Sequence, residues 1–110
     1  MASAGAVEVA EGLREDLFRR HKKDRSLAEE AWDDLVSWAP RLRQDAFAGI
    51  QVPKDRFPKP YGEYDNLWKI NLRHGFRAVY SVLSRPGMRF VVAVEWIGDH
   101  KEYDRLFGYA

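Results

Sequence analysis

Residues 66–98 read NLWKINLRHGFRAVYSVLSRPGMRFVVAVEWIG, and this stretch decides the fold. From Asn66 to Arg73, Trp68, Ile70 and Leu72 alternate with Leu67, Lys69, Asn71 and Arg73, the two-residue period of a strand with one wet face. On that alternation Lys69 and Arg73 share a face. His74-Gly75 marks a tight turn, with glycine supplying positive φ, and Phe76–Ser84 returns antiparallel. Ser84-Arg85-Pro86-Gly87 is a second turn. The strand that follows, Arg89–Gly98, has an unbroken Phe90–Val94 apolar run and therefore lies inside the sheet, covered on both faces. Three consecutive antiparallel strands are predicted.

Upstream, the pattern is helical. Gly12 to about His21 places Leu13, Leu17 and Phe18 at helical spacing, and the charged run Arg19–Arg25 reads as a solvated end with His21 at the surface. Ser26-Leu27-Ala28-Glu29 has the capping-box pattern, predicting a helix from Ser26 that buries Leu27, Ala31, Leu35 and Trp38, widened by Trp32 and Val36. Pro40 ends or kinks it, and Arg41–Ala48 holds one more short helical piece. Val7–Val9 reads as a short edge strand. Pro53, Pro58, Pro60 and Gly62 make the segment from Gly49 a loop. Asp99, with Glu102 three residues later, caps a short terminal helix. The expected fold class is α+β: N-terminal helices packed on a small antiparallel sheet with a short C-terminal helix, in one domain over residues 1–110.

Composition narrows the function. The chain has 110 residues, 45% hydrophobic, no cysteine and a net charge of +1. Without cysteine there is no disulfide framework, thiolate metal site or cysteine nucleophile. No run of about 18 apolar residues offers a membrane span. The small, uncharged N-terminus lacks the pattern of a secretory signal, so the expected location is cytoplasmic. The small net charge argues against a strongly basic nucleic-acid binder, yet between Pro53 and Arg89 eight basic residues face only three acidic ones. That surplus suits phosphate or an acidic protein partner, or is scattered solvated charge. His21, His74 and His100 have no metal spacing, and there is no glycine-rich phosphate loop. No cofactor and no metal are expected.

Asn66-Leu67-Trp68-Lys69-Ile70-Asn71-Leu72, then Phe76-Arg77-Ala78-Val79-Tyr80, then Gly98-Asp99-His100-Lys101-Glu102-Tyr103 together resemble the RelE/ParE toxin superfamily, the last segment being similar to HigB and RelE members ending in His-x-x-Tyr. The match covers about residues 45–108. It implies a type II toxin: a ribosome-dependent mRNA endonuclease, neutralised by a cognate antitoxin in a hetero-oligomer. On that resemblance Arg77 would hold the phosphate, Lys69 would neutralise it or assist the leaving oxygen, and Arg73, Asn71, Lys54 and Lys59 would contact RNA. Asn71 departs from a second lysine in RelE itself, which puts the RelE base assignment in doubt. His100 is the natural candidate base, and Tyr103, one turn later, would donate its hydroxyl or stack on a base. Arg77 also reads as an ordinary strand arginine, and His100 and Tyr103 as packing residues. Glu95 is a paired core acid or a weak base candidate. The scaffold equally serves a ParE-like gyrase inhibitor, or an inactive relative that only binds its antitoxin.

Overall fold

The computed structural model describes residues 2–109 and shows an α+β protein. The elements are β1 (Ala6–Val9), α1 (Leu13–Arg20), α2 (Arg25–Ser37), α3 (Ala39–Gln44), β2 (Ile50–Gln51), β3 (Trp68–Asn71), β4 (Arg77–Arg85), β5 (Met88–Gly98) and α4 (His100–Phe107). No helix among the described residues is long and apolar enough to cross a membrane.

The five strands form one sheet in the order β1-β5-β4-β3-β2. β3, β4 and β5 are consecutive antiparallel neighbours, as the alternation and turns predict. The sheet as a whole is mixed, because β1 runs parallel to β5, with Ala6 opposite Val91 and Val9 opposite Val94. An antiparallel sheet was the expectation; periodicity shows that a segment is a strand but not which neighbour it takes. Alternation along β4 divides the core. Ala78, Tyr80 and Val82 join Ile70, Leu72, Val92 and Val94 beneath α1, α2 and α3. Leu67 and Val79 face the other way, where Tyr103 of α4 and Val52 of the connector cover them.

Several local expectations change. The Ser26 capping box does not form: α2 starts at Arg25 after Asp24, and Glu29 accepts from Arg25 at 2.9 Å instead. The Asp24 carboxylate turns back to His21, so the helix begins one residue earlier with no side-chain cap. The buried stripe is Ala28, Ala31 and Leu35, with Trp32 and Trp38 half-buried and Leu27 and Val36 exposed. Pro40 lies in the first turn of α3, where its missing N–H costs nothing, so it helps to start a helix as well as to end one. Ile50 and Gln51, expected within a loop, pair with Lys69 and Trp68. β3 stops at Asn71, and Arg73 to Gly75 form a 3₁₀ turn with His74 at φ 59° and Gly75 at φ 74°.

One close approach fixes β2 beside β3. Tyr80 donates its hydroxyl to the Ala46 carbonyl and accepts from the Gly49 N–H, both at 2.9 Å. A Cβ at Gly49 would lie 2.8 Å from the Lys69 carbonyl and 2.8 Å from the Tyr80 hydroxyl, so only glycine fits there.

Candidate functional site

Lys69, Arg77 and Tyr103 meet on the sheet face opposite α1, α2 and α3. Arg77 opens β4 opposite Asn71, which ends β3, and Lys69 lies two residues back on that strand. The Arg77 guanidinium carbon stands 4.8 Å from the centroid of the Tyr103 ring and the Lys69 ammonium 5.5 Å from it. Phe107 stacks on that ring at 4.3 Å, and Trp96 approaches at 6.2 Å. Aromatic faces attract cations, so Tyr103 helps two like charges to share a small space.

The helix that brings Tyr103 is held by the predicted cap. Asp99 Oδ1 accepts from the Glu102 N–H, and Glu102 Oε1 accepts from the Asp99 N–H, each at 2.8 Å. Glu102 also binds Arg20 and takes His21 Nε2 at 2.7 Å. Burial alone would raise the Glu102 carboxyl, but the hydrogen bonds from Arg20, the Asp99 backbone and His21 outweigh it and hold the group below its ordinary value. His21 is 5% exposed and packs on Phe76 at 5.1 Å between ring centres, which corrects its assignment to the surface. Its partner lies 81 residues away, beyond any local pattern. His21, Asp99 and Glu102 offer ligand atoms within 4.8 Å of one another. The Arg20 guanidinium on the same carboxylate opposes a metal ion, and the cluster acts as an ion-paired clip from α1 to α4.

Electrostatics sort the candidates by role. Desolvation lowers the Lys69 pKa, and the neighbouring Arg77 charge lowers it further, so its ammonium gives up a proton more readily than a free lysine. Burial pushes Tyr103 up to about 12, against the opposing effect of Arg77. At neutral pH its phenol is therefore a hydrogen-bond or proton donor and not a base. Base stacking on Tyr103, one of the expected roles, is blocked: Phe107 stacks on its ring and the two cations lie over it. His100 is exposed at the first position of α4, its Nδ1 3.7 Å from where a Cβ on Gly75 would stand. It thus lies over the turn that leads into Arg77.

No protein-family model, curated protein or solved structure matches this chain.

The geometry regroups the other sequence-predicted residues. Asn71 joins the site through its register with Arg77. Arg73 does not: its backbone N–H donates to Asp34 of α2 at 2.9 Å, and the residue lines a surface hollow with Glu30, Asp33, Asp34 and Ser37. It therefore does not share the Lys69 face, because the chain leaves the strand path at Leu72. Lys54 donates to the Tyr64 carbonyl and lies 4.8 Å from the Phe57 ring, and Lys59 is exposed in a separate 3₁₀ turn. Neither reaches Tyr103. Two residues that sequence reasoning had not singled out do approach. Asp104 Oδ1 is 4.0 Å from Arg77 Nη1, and its signal was its position four residues after His100 on the capped helix. Arg56 sits 5.9 Å from the Tyr109 ring, itself 6.3 Å from Tyr103, and extends the basic row.

Proposed function

We propose that this chain is a cytosolic RNA-cleaving toxin of the RelE/HigB kind that cuts messenger RNA on the ribosome and is restrained by a cognate antitoxin protein covering the same sheet face. The observation that carries the reading is the convergence of Lys69 and Arg77 on Tyr103, with His100 one turn earlier on the same helix. The order of the three family-like segments supports it as well.

The reaction needs three things: a proton acceptor, a proton donor and positive charge on the phosphate oxygens. Arg77 holds the phosphate with its planar fork while Lys69 neutralises the growing charge. His100 takes the proton of a ribose 2′-hydroxyl as its oxygen bonds to phosphorus. The bond to the 5′-oxygen breaks, and that oxygen receives a proton from Tyr103 or Lys69, leaving a 2′,3′-cyclic phosphate and a 5′-hydroxyl. Asp104 beside Arg77 orients the guanidinium between turnovers.

A second reading has its own observation. His100 is exposed and makes no hydrogen bond or ion pair among the described residues, which suits a relative that binds an antitoxin, or gyrase, without cutting RNA. A reconstituted translation system separates the two. Addition of the protein yields discrete breaks in the translated message under the first reading, whereas intact message with undiminished translation supports the second.

A further inference from the structure

A hollow of about 280 Å³ opens on the same sheet face, lined by Glu63, Tyr64, Asp65, Asn66, Ser81, Leu83 and Glu95. It adjoins a break in the ladder. Val79 pairs with Trp96 and Tyr80 with Val94, so Glu95 has no partner across the sheet, and such a bulge re-aims the side chain it carries. Glu95 lies behind the raised pKa values of Tyr61 and Tyr64, second to burial in each.

The polar groups of this hollow are unevenly satisfied. Asn66 is spent on the fold: its amide nitrogen donates to the Val82 carbonyl, and its oxygen accepts from Val82 N–H at 2.7 Å and Trp68 Nε1 at 3.2 Å. Ser81 is 1% exposed, yet its hydroxyl has no hydrogen-bond partner, the one such buried side-chain atom among the described residues. A buried hydroxyl without a partner is costly and asks for one. Glu63, Asp65 and Glu95 make no ion pair among the described residues, and no cation lines the hollow. Lys54 nearby is engaged by the Tyr64 carbonyl.

We propose that this hollow receives an arginine side chain of a partner protein. A guanidinium presents paired N–H donors to carboxylates, leaves one N–H for a hydroxyl acceptor such as Ser81, and lies flat against a phenol ring such as Tyr64. An ammonium lacks the fork, and a nucleotide brings a phosphate that three carboxylates repel. The site is separate from the Lys69–Arg77 cluster and does not depend on RNA cleavage.

The test is a two-dimensional NMR titration of the whole chain with the blocked peptide Gly-Arg-Gly, its lysine counterpart and guanosine monophosphate. The arginine peptide produces saturable shifts at the Asp65, Ser81 and Glu95 amides, and the lysine peptide binds several-fold more weakly. Glu95→Gln weakens the arginine peptide about tenfold, as loss of one charge-assisted hydrogen bond implies. Ser81→Ala weakens it too, while the melting temperature is unchanged or higher, a split that a purely structural serine does not give. Absence of saturable shifts, equal binding to Glu95→Gln, or preferential binding of the nucleotide at these amides overturns the proposal.

Discussion

His21 Nε2 lies 2.7 Å from Glu102 Oε1, joining the end of α1 to the first turn of the helix that carries Tyr103. Glu102 simultaneously holds Arg20 and closes the α4 cap, so one carboxylate serves three partners. Glu102→Gln is expected to lower stability by about 1–3 kcal/mol, because charge-assisted bonds become neutral ones around a mostly buried group. The same contacts set an acid dependence. The folded pKa of Glu102 is depressed, so its contribution is present above the ordinary carboxyl range and is lost as pH falls through the lower folded value. Urea midpoints measured across the acid range fall for the native chain, and that part of the fall disappears in Glu102→Gln.

Tyr80 at the junction of β2, β3 and β4 supports a second prediction. Tyr80→Phe leaves the Gly49 N–H and the Ala46 carbonyl without their partner, at about 1–3 kcal/mol. Gly49→Ala costs more, since its Cβ meets the backbone oxygen of Lys69 and not only a movable side chain. Chemical denaturation ranks the two variants in that order.

Alkali provides a third. Tyr80 and Tyr103 are both raised to about 12, by burial first in each case. Their contribution is fully present below the ordinary phenol value and is lost as pH rises toward 12. Two units correspond to about 3 kcal/mol for each group. Stability therefore drops between about pH 10 and 12, and Tyr103→Phe removes its share of that dependence.

The sequence made the sheet face legible but not its neighbours. Alternation between Leu67 and Leu83, punctuated by the His74-Gly75 turn, specifies β3 and β4, whereas the pairing register that brings Lys69 and Arg77 together is not contained in it. The same capping pattern occurs twice with opposite outcomes. Asp99 and Glu102 form the box because Arg20 and His21 fix the glutamate from another helix, whereas Glu29 is free to pair with Arg25 and Ser26 is passed over. Partners 81 and 82 residues away secured the second box, which local spacing does not contain, whereas the first lost to a local i,i+4 pair between Arg25 and Glu29. Arg73 was misplaced for a related reason: strand periodicity cannot tell where a strand stops, and Asp34 captures its N–H just past that point. His21 looked solvated within a charged run, although Asp24 three residues on was a local hint. Glu95 reads in the sequence as an acid among apolar residues, but the bulge that carries it depends on the register of Val79 and Tyr80 with β5.

Regrouping of the basic residues makes a fourth prediction. Arg56→Ala weakens RNA binding, since Arg56 adjoins the aromatic row leading to Tyr103. Arg73→Ala leaves binding nearly unchanged, because the residue lines a hollow with Glu30, Asp33 and Asp34 of α2, away from the Lys69–Arg77 cluster. Filter binding of a short single-stranded RNA at several salt concentrations checks this, with the salt slope falling by about one for Arg56→Ala and staying constant for Arg73→Ala.

Single-turnover cleavage of a ribosome-bound message by native chain, Arg77→Lys and His100→Ala tests the central claim most directly. Arg77→Lys retains charge but loses the fork, so the cleavage rate falls while ribosome binding persists. His100→Ala lowers the chemical step by about two to four orders of magnitude if the imidazole moves the proton. Cleavage at the native rate by both variants, or no cleavage by the native chain, contradicts the account.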